Sequence, residues 1–221
     1  AEGVPAIEES IFAGVPINVT LLFSHEQYLA AAEAYLRGVE RRLASGKTPD
    51  IGSVASVFVS RWDKAVKDKV PAELSNKLGV AVAAQTYAAY RELLASPRWK
   101  KLAAAGVQPQ RLLWGSTGTK DPKASDTMYV EALAAPDTIN TMPAKTLIAF
   151  ADHGKLKGAM AEDGGDAEAA LSRFAQAGVD LITLAEQLQR DGADAFTESW
   201  KSLMRKIAEK SEALAGAARN G

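Results

Sequence analysis

Two polar side chains stand on one face of an otherwise apolar strand in Ile17-Asn18-Val19-Thr20-Leu21-Leu22-Phe23-Ser24. Side chains alternate along a strand, so Asn18 and Thr20 are expected to point one way and Val19 and Leu21 the other. An amide and a hydroxyl orient a ligand without adding charge, and a buried Asn without a partner is costly. The pair therefore reads as the wall of an active site. A second candidate is the loop Gly115-Ser116-Thr117-Gly118-Thr119-Lys120, which combines small residues, hydroxyls and one lysine. Its spacing misses the Gly-x-x-x-x-Gly-Lys-Ser/Thr pattern, so ATP binding is rejected.

The elements that must position these residues alternate between strand and helix patterns, which favours an α/β fold with a parallel sheet. Ser24-His25-Glu26-Gln27 fits an N-cap with Gln at the third helical position, opening a helix to about Ala44. Strands are expected over 54–59, 111–115 and 137–141, with a polar excursion from Arg61 to Pro71. Helices are expected over about 71–95, 97–105, 126–134 and 166–177, and from Pro143 to about Asp152. The end of the chain reads as two helices, Leu181 to Asp191 and Ala193 to Ala215, followed by an Ala/Gly/Asn tail expected to fray. No internal repeat or linker is visible, so residues 1–221 read as one domain.

The chain has 221 residues, 47% hydrophobic and 24% charged, the composition of an ordinary globular protein. A formal net charge of -1 offers no general attraction to nucleic acid or to an anionic membrane, so a phosphorylated ligand must meet locally placed cations. Trp62, Tyr90, Trp99 and Trp114 are too far apart to stack successive bases. The absence of cysteine removes disulfides, thiolate catalysis and Cys-based metal sites. It is compatible with a cytoplasmic location, which is the expectation here. No run of about 18 apolar residues spans a bilayer, and the start shows no secretory signal. Asn18-Val19-Thr20 formally matches a glycosylation acceptor but lies in an apolar strand. His25 and His153 have no neighbours at ligand spacing and read as a helix-start residue and a loop residue. Glu162, Asp163 and Asp166 lack a calcium-loop pattern, and no metal or cofactor is expected.

The Asn/Thr pair followed by Leu-Leu-Phe-Ser resembles one barrel strand of transaldolases. The same family order continues through Ser56-Val57-Phe58-Val59-Ser60-Arg61, Leu113-Trp114-Gly115-Ser116-Thr117 and Asp137-Thr138-Ile139-Asn140-Thr141-Met142-Pro143. The wording is most similar to the bacterial type sometimes fused to a glucose-6-phosphate isomerase domain, over Ala1 to about Lys210. The resemblance implies that Asn18 hydrogen-bonds a hydroxyl near the Schiff-base carbon and that Thr20 positions a proton-shuttling water. It implies that Ser56 contacts the dihydroxyacetone moiety and that Arg61 binds phosphate with its planar fork. Ser60 stands where some members have Gly. Barrels often bind phosphate in the loops after their last two strands, which makes Ser116 a substrate-binding candidate and Lys120 a second, with spacing unlike the family's usual arginine.

A complete eight-stranded barrel typically needs about 250 residues, and four strands are visible here. The expectation is therefore an α/β fold forming the C-terminal half of a TIM (β/α)8 barrel, four parallel strands with their helices plus C-terminal helices. A small open sheet complete in itself is the alternative. Schiff-base chemistry needs a lysine whose pKa is lowered by burial, and no lysine lies within a strand pattern. By resemblance that lysine, and two acids, belong to earlier strands, so the N-terminal half of the barrel is an expected partner and the chain alone an inactive one. The implied reaction transfers a dihydroxyacetone unit from sedoheptulose 7-phosphate to glyceraldehyde 3-phosphate. Sugar phosphates are then the ligands, with a homodimer as one arrangement left open. A fructose 6-phosphate aldolase of the same fold, or a non-catalytic fragment or binding subunit, are the competing readings.

Overall fold

In the computed structural model, which describes residues 2–219 and side chains through residue 215, the strands are β1 (Ile17–Leu22), β2 (Ser53–Phe58), β3 (Arg111–Gly115) and β4 (Thr138–Asn140). They form a parallel sheet in the order β1-β2-β3-β4. Parallel neighbours need a crossover, and helices supply it. Between β1 and β2 runs α2 (His25–Ala44). Between β2 and β3 run α3 (Ser60–Val66), α4 (Leu78–Ala95) and α5 (Pro97–Ala104), and between β3 and β4 runs α6 (Met128–Ala132). The expected α/β architecture is therefore what the chain adopts. Of the tail expected to fray after Ala215, residues 216–219 instead continue the last helix, and residues 220 and 221 lie outside those described.

One face of the sheet is covered. Ala55, Val57, Leu112 and Trp114 pack with Tyr28, Ala31 and Ala32 of α2 and with Ala83, Tyr87 and Tyr90 of α4, all buried. The opposite face carries the alternate residues. There Asn18 pairs in register with Val54, and Leu113 with Ser56. Asn18 is exposed, and Val54, Leu113 and Ile139 are only half-buried.

Helix starts follow from local chemistry. The Ser24 hydroxyl accepts the Gln27 N–H at 3.2 Å, and the Gln27 side chain accepts the Phe23 N–H at 2.8 Å, which caps α2 as the sequence predicts. The Ser96 hydroxyl caps α5 by accepting the Trp99 N–H.

One element is new and three expectations need correction. Residues 3–13 form α1 (Gly3–Ala13), which no sequence argument above placed. Pro5 is tolerated in its first turn, Gly14 closes it at φ 92°, and Ile11 packs against Gly38 of α2. The polar excursion after Arg61 begins as α3, whose Trp62, Asp63 and Val66 are buried. Strict alternation fails in β1, because Val19 pairs with Ala55 and Leu22 with Val57, so Thr20 and Leu21 together face Ser56. This bulge sends Leu22, not Leu21, into the core beneath the sheet, while Leu21 joins a second cluster with Phe23, Trp62 and Leu188. Finally, the last two expected helices are one, α9 (Leu181–Arg219), unbroken at Gly192. The chain also carries α7 (Ala144–His153) and α8 (Ala167–Gln176). Among the described residues, no helix is long and apolar enough to cross a membrane.

Candidate active site

The C-terminal ends of parallel strands are where loops converge; Ser60 and Ser116 lie there, whereas Asn18 is the second residue of β1 and lines a cleft with Pro16, Val54 and Arg111 at the other end. Ser56 is 2% exposed, and its hydroxyl donates to Oδ1 of Asn18 at 2.6 Å across the β1–β2 pair. With Oδ1 occupied, the Asn18 amide offers its Nδ2–H2 group as the free donor on the uncovered face. Thr20 is exposed at the bulge directly beyond. The expected grouping of Asn18, Thr20 and Ser56 is thus present, with the Ser56 hydrogen committed to Asn18.

Beyond β2 the backbone ladder continues into the next loop. The Val59 N–H donates to the Gly115 carbonyl at 3.1 Å, and the Ser60 N–H to the Ser116 carbonyl at 3.0 Å. The hydroxyls of Ser60 and Ser116 lie 2.9 Å apart, and Ser60 is fully buried. Ser116 itself has φ 55°, a left-handed turn that ends β3 sharply. This clasp anchors the start of α3 and so sets the root of Arg61. The Arg61 guanidinium lies over the Phe58 ring at 5.0 Å from its centroid, a cation–π arrangement. Described ion pairs occupy Arg37, Arg41, Arg91, Arg98, Arg190 and Arg205, and Arg61 is in none of them. A cation held by a ring and unpaired with any described carboxylate is suited to an anionic ligand.

A family model described as Transaldolase/Fructose-6-phosphate aldolase matches residues 1–207. The chain belongs to this family. Curated relatives include a transaldolase of Parafrankia sp., 43% identical over 94% of this chain and 59% of its own length. A transaldolase of Saccharopolyspora erythraea is 44% identical over 95% of this chain and 59% of its own. One from Neisseria meningitidis serogroup A is 40% identical over 91% and 58%. The chain thus spans less than two thirds of the length of these transaldolases.

Within this transaldolase-family chain, Lys120 lies in the loop after β3. It is exposed and lines a cleft of ≈ 860 Å³ together with Ser60, Lys64, Lys67, Asn76 and Tyr129, a set that does not include Arg61. Two residues of the region escaped sequence reasoning. Ser60 appeared only as a departure from Gly, although its hydroxyl holds Ser116. Asp63, 6% exposed, accepts the N–H groups of Leu78 and Gly79 at 2.9 and 3.2 Å and the Tyr129 hydroxyl at 2.7 Å. It therefore caps α4 from a distance of fifteen positions. Burial pushes its carboxyl above the usual range, and these three hydrogen bonds act against that rise. No local motif announces such a cap, since its donors come from another element.

Proposed function

We propose that this chain supplies the last four strands of a transaldolase barrel and, with them, the wall that holds the sugar phosphate. In this reading the intact protein transfers a dihydroxyacetone unit from sedoheptulose 7-phosphate to glyceraldehyde 3-phosphate. The nucleophile is a lysine on a strand N-terminal to β1, which forms a Schiff base with the ketose carbonyl. Asn18 donates from Nδ2 to a substrate hydroxyl beside the Schiff-base carbon, its orientation set by Ser56. Thr20 holds the water that moves protons during carbon–carbon cleavage. Ser56 offers its remaining oxygen lone pairs to the dihydroxyacetone end. Arg61 and Ser116 take the phosphate.

The observation that carries this reading is the Ser56–Asn18 hydrogen bond on the sheet face opposite the layer of α2 and α4, with Thr20 exposed beside it. A sheet whose open face is lined by such groups suits a barrel interior, which the preceding strands would close. The test is borohydride reduction of the full-length protein with fructose 6-phosphate. A covalent three-carbon adduct on a lysine N-terminal to β1 is expected, and a protein that traps nothing would return the chain to a binding role. The family description also names fructose-6-phosphate aldolase, and the two activities separate in one assay. Transaldolase turnover requires an acceptor aldehyde, whereas the aldolase releases free dihydroxyacetone without one.

A further inference from the structure

The end of β1 is held from a part of the chain far away in sequence. Leu21 has φ 60°, a left-handed conformation that a bulky L side chain keeps only when its surroundings impose it. Its carbonyl accepts a hydrogen bond from Nε2 of Gln189 at 3.0 Å, across 168 positions. Three residues further along α9 stands Gly192. A Cβ there would lie 2.7 Å from Cδ2 of Leu21 and 3.2 Å from Nη1 of Arg61. One stretch of α9 therefore reaches both the bulge that carries Thr20 and the guanidinium of Arg61.

We propose that Gln189 and Gly192 are positioning residues of this site, Gln189 for Thr20 and Gly192 for Arg61, a role that rests on the transaldolase reading above. The Gln189 bond fixes the peptide that follows Leu21. Without it the bulge can relax toward regular pairing with β2, and a one-residue change of register turns a strand side chain to the opposite face. Thr20 would then lose its direction. Gly192 acts through space. In the middle of a helix glycine is a poorer choice than alanine, so its presence within unbroken α9 needs a reason from outside the helix. The reason here is the approach of Leu21 and Arg61. Both nearest atoms are the far ends of flexible side chains, so an added methyl would be absorbed by moving them, and the guanidinium would leave its place against Phe58.

Steady-state kinetics and thermal unfolding of the full-length protein and two variants test this. Each variant is assayed with glyceraldehyde 3-phosphate and with unphosphorylated glyceraldehyde as acceptor. Gly192→Ala is expected to raise KM for the phosphorylated acceptor by about three- to tenfold, to leave KM for glyceraldehyde within about twofold, and to melt no lower than the wild type. Gln189→Leu is expected to lower kcat by about tenfold with both acceptors and to change KM little. A merely structural role predicts something different, namely a lower melting temperature with kinetics of the folded protein intact. That result, or a Gly192→Ala variant whose two KM values keep their ratio, overturns the proposal while leaving the transaldolase reading standing. A wild-type protein without transfer activity overturns the reading itself, and the positioning roles with it.

Discussion

Asn18 reaches the open face of the sheet with one end of its amide already engaged, and that single bond decides which end is left for a ligand. An Asn side chain can turn over and present either its oxygen or its nitrogen. In the structure the Ser56 hydroxyl donates to Oδ1, which leaves the Nδ2 end toward a ligand. Ser56→Ala in the full-length protein is therefore expected to cost about 1–3 kcal/mol of transition-state stabilisation, read as a fall in kcat/KM with the fold intact. Unchanged kinetics would mean that the amide is oriented by something else. Arg61 acts at the other end of the ligand. Arg61→Ala should weaken phosphorylated substrates by about 1–3 kcal/mol and barely affect dihydroxyacetone. Equal losses with both would remove its phosphate role. The sequence names Asn18, Thr20, Ser56, Arg61 and Ser116 as candidates, chiefly through their order in the family. The Ser60–Ser116 clasp was not legible there, since nothing local shows that two hydroxyls on different loops will meet.

At the scale of elements, the helices are tied by contacts that propensity does not register. Asp63 holds the start of α4 from within α3, and Tyr129 of α6 holds Asp63. Because burial raises the folded pKa of Asp63 above its unfolded value, the ionised carboxylate opposes folding, and stability from this group rises as pH falls through the raised pKa toward the ordinary one. Tyr129→Phe removes a donor to that carboxylate and lifts the pKa further. It is expected to cost about 1–3 kcal/mol at pH 7, with a smaller loss once Asp63 is protonated. Urea unfolding at neutral and mildly acidic pH checks the sign, and a loss that grows on acidification would refute it. The α1–α2 contact is as close. A Cβ at Gly38 would lie 2.8 Å from Cβ of Ile11 and 2.9 Å from the Glu8 carbonyl oxygen, which is backbone and cannot swing away. Gly38→Ala should destabilise by about 1–3 kcal/mol in the same assay.

At the scale of the whole molecule, the chain leaves apolar surface without a partner among its own described residues. Phe196, Trp200, Leu203, Met204 and Ile207 of α9 are each about half exposed or more, with Trp200 at 63%. They recur at helical spacing and so form one stripe. Together with the uncovered sheet face and the free edges of β1 and β4, they make self-association the expected behaviour of this segment expressed alone. Light scattering and size-exclusion chromatography would detect it. A monomeric segment with a cooperative melt would show that the sheet needs no further strands, and would count against the barrel reading.

The amino-acid order by itself determined the α/β class, the parallel strands after Pro16 and the capped start of α2. These depend on periodicity and on neighbours a few positions away, which a linear chain displays. Tertiary structure alone decided the bulge at Thr20 and Leu21, the continuity of α9 through Gly192, the helix within the polar stretch after Arg61 and the cap made by Asp63. Each of these is set by a contact between residues from fifteen to more than a hundred positions apart. Glycine in a sequence reads as a break because its backbone is free. In the folded protein Gly192 instead marks the point where a helix passes so close to Leu21 and Arg61 that an added side chain has to displace their ends.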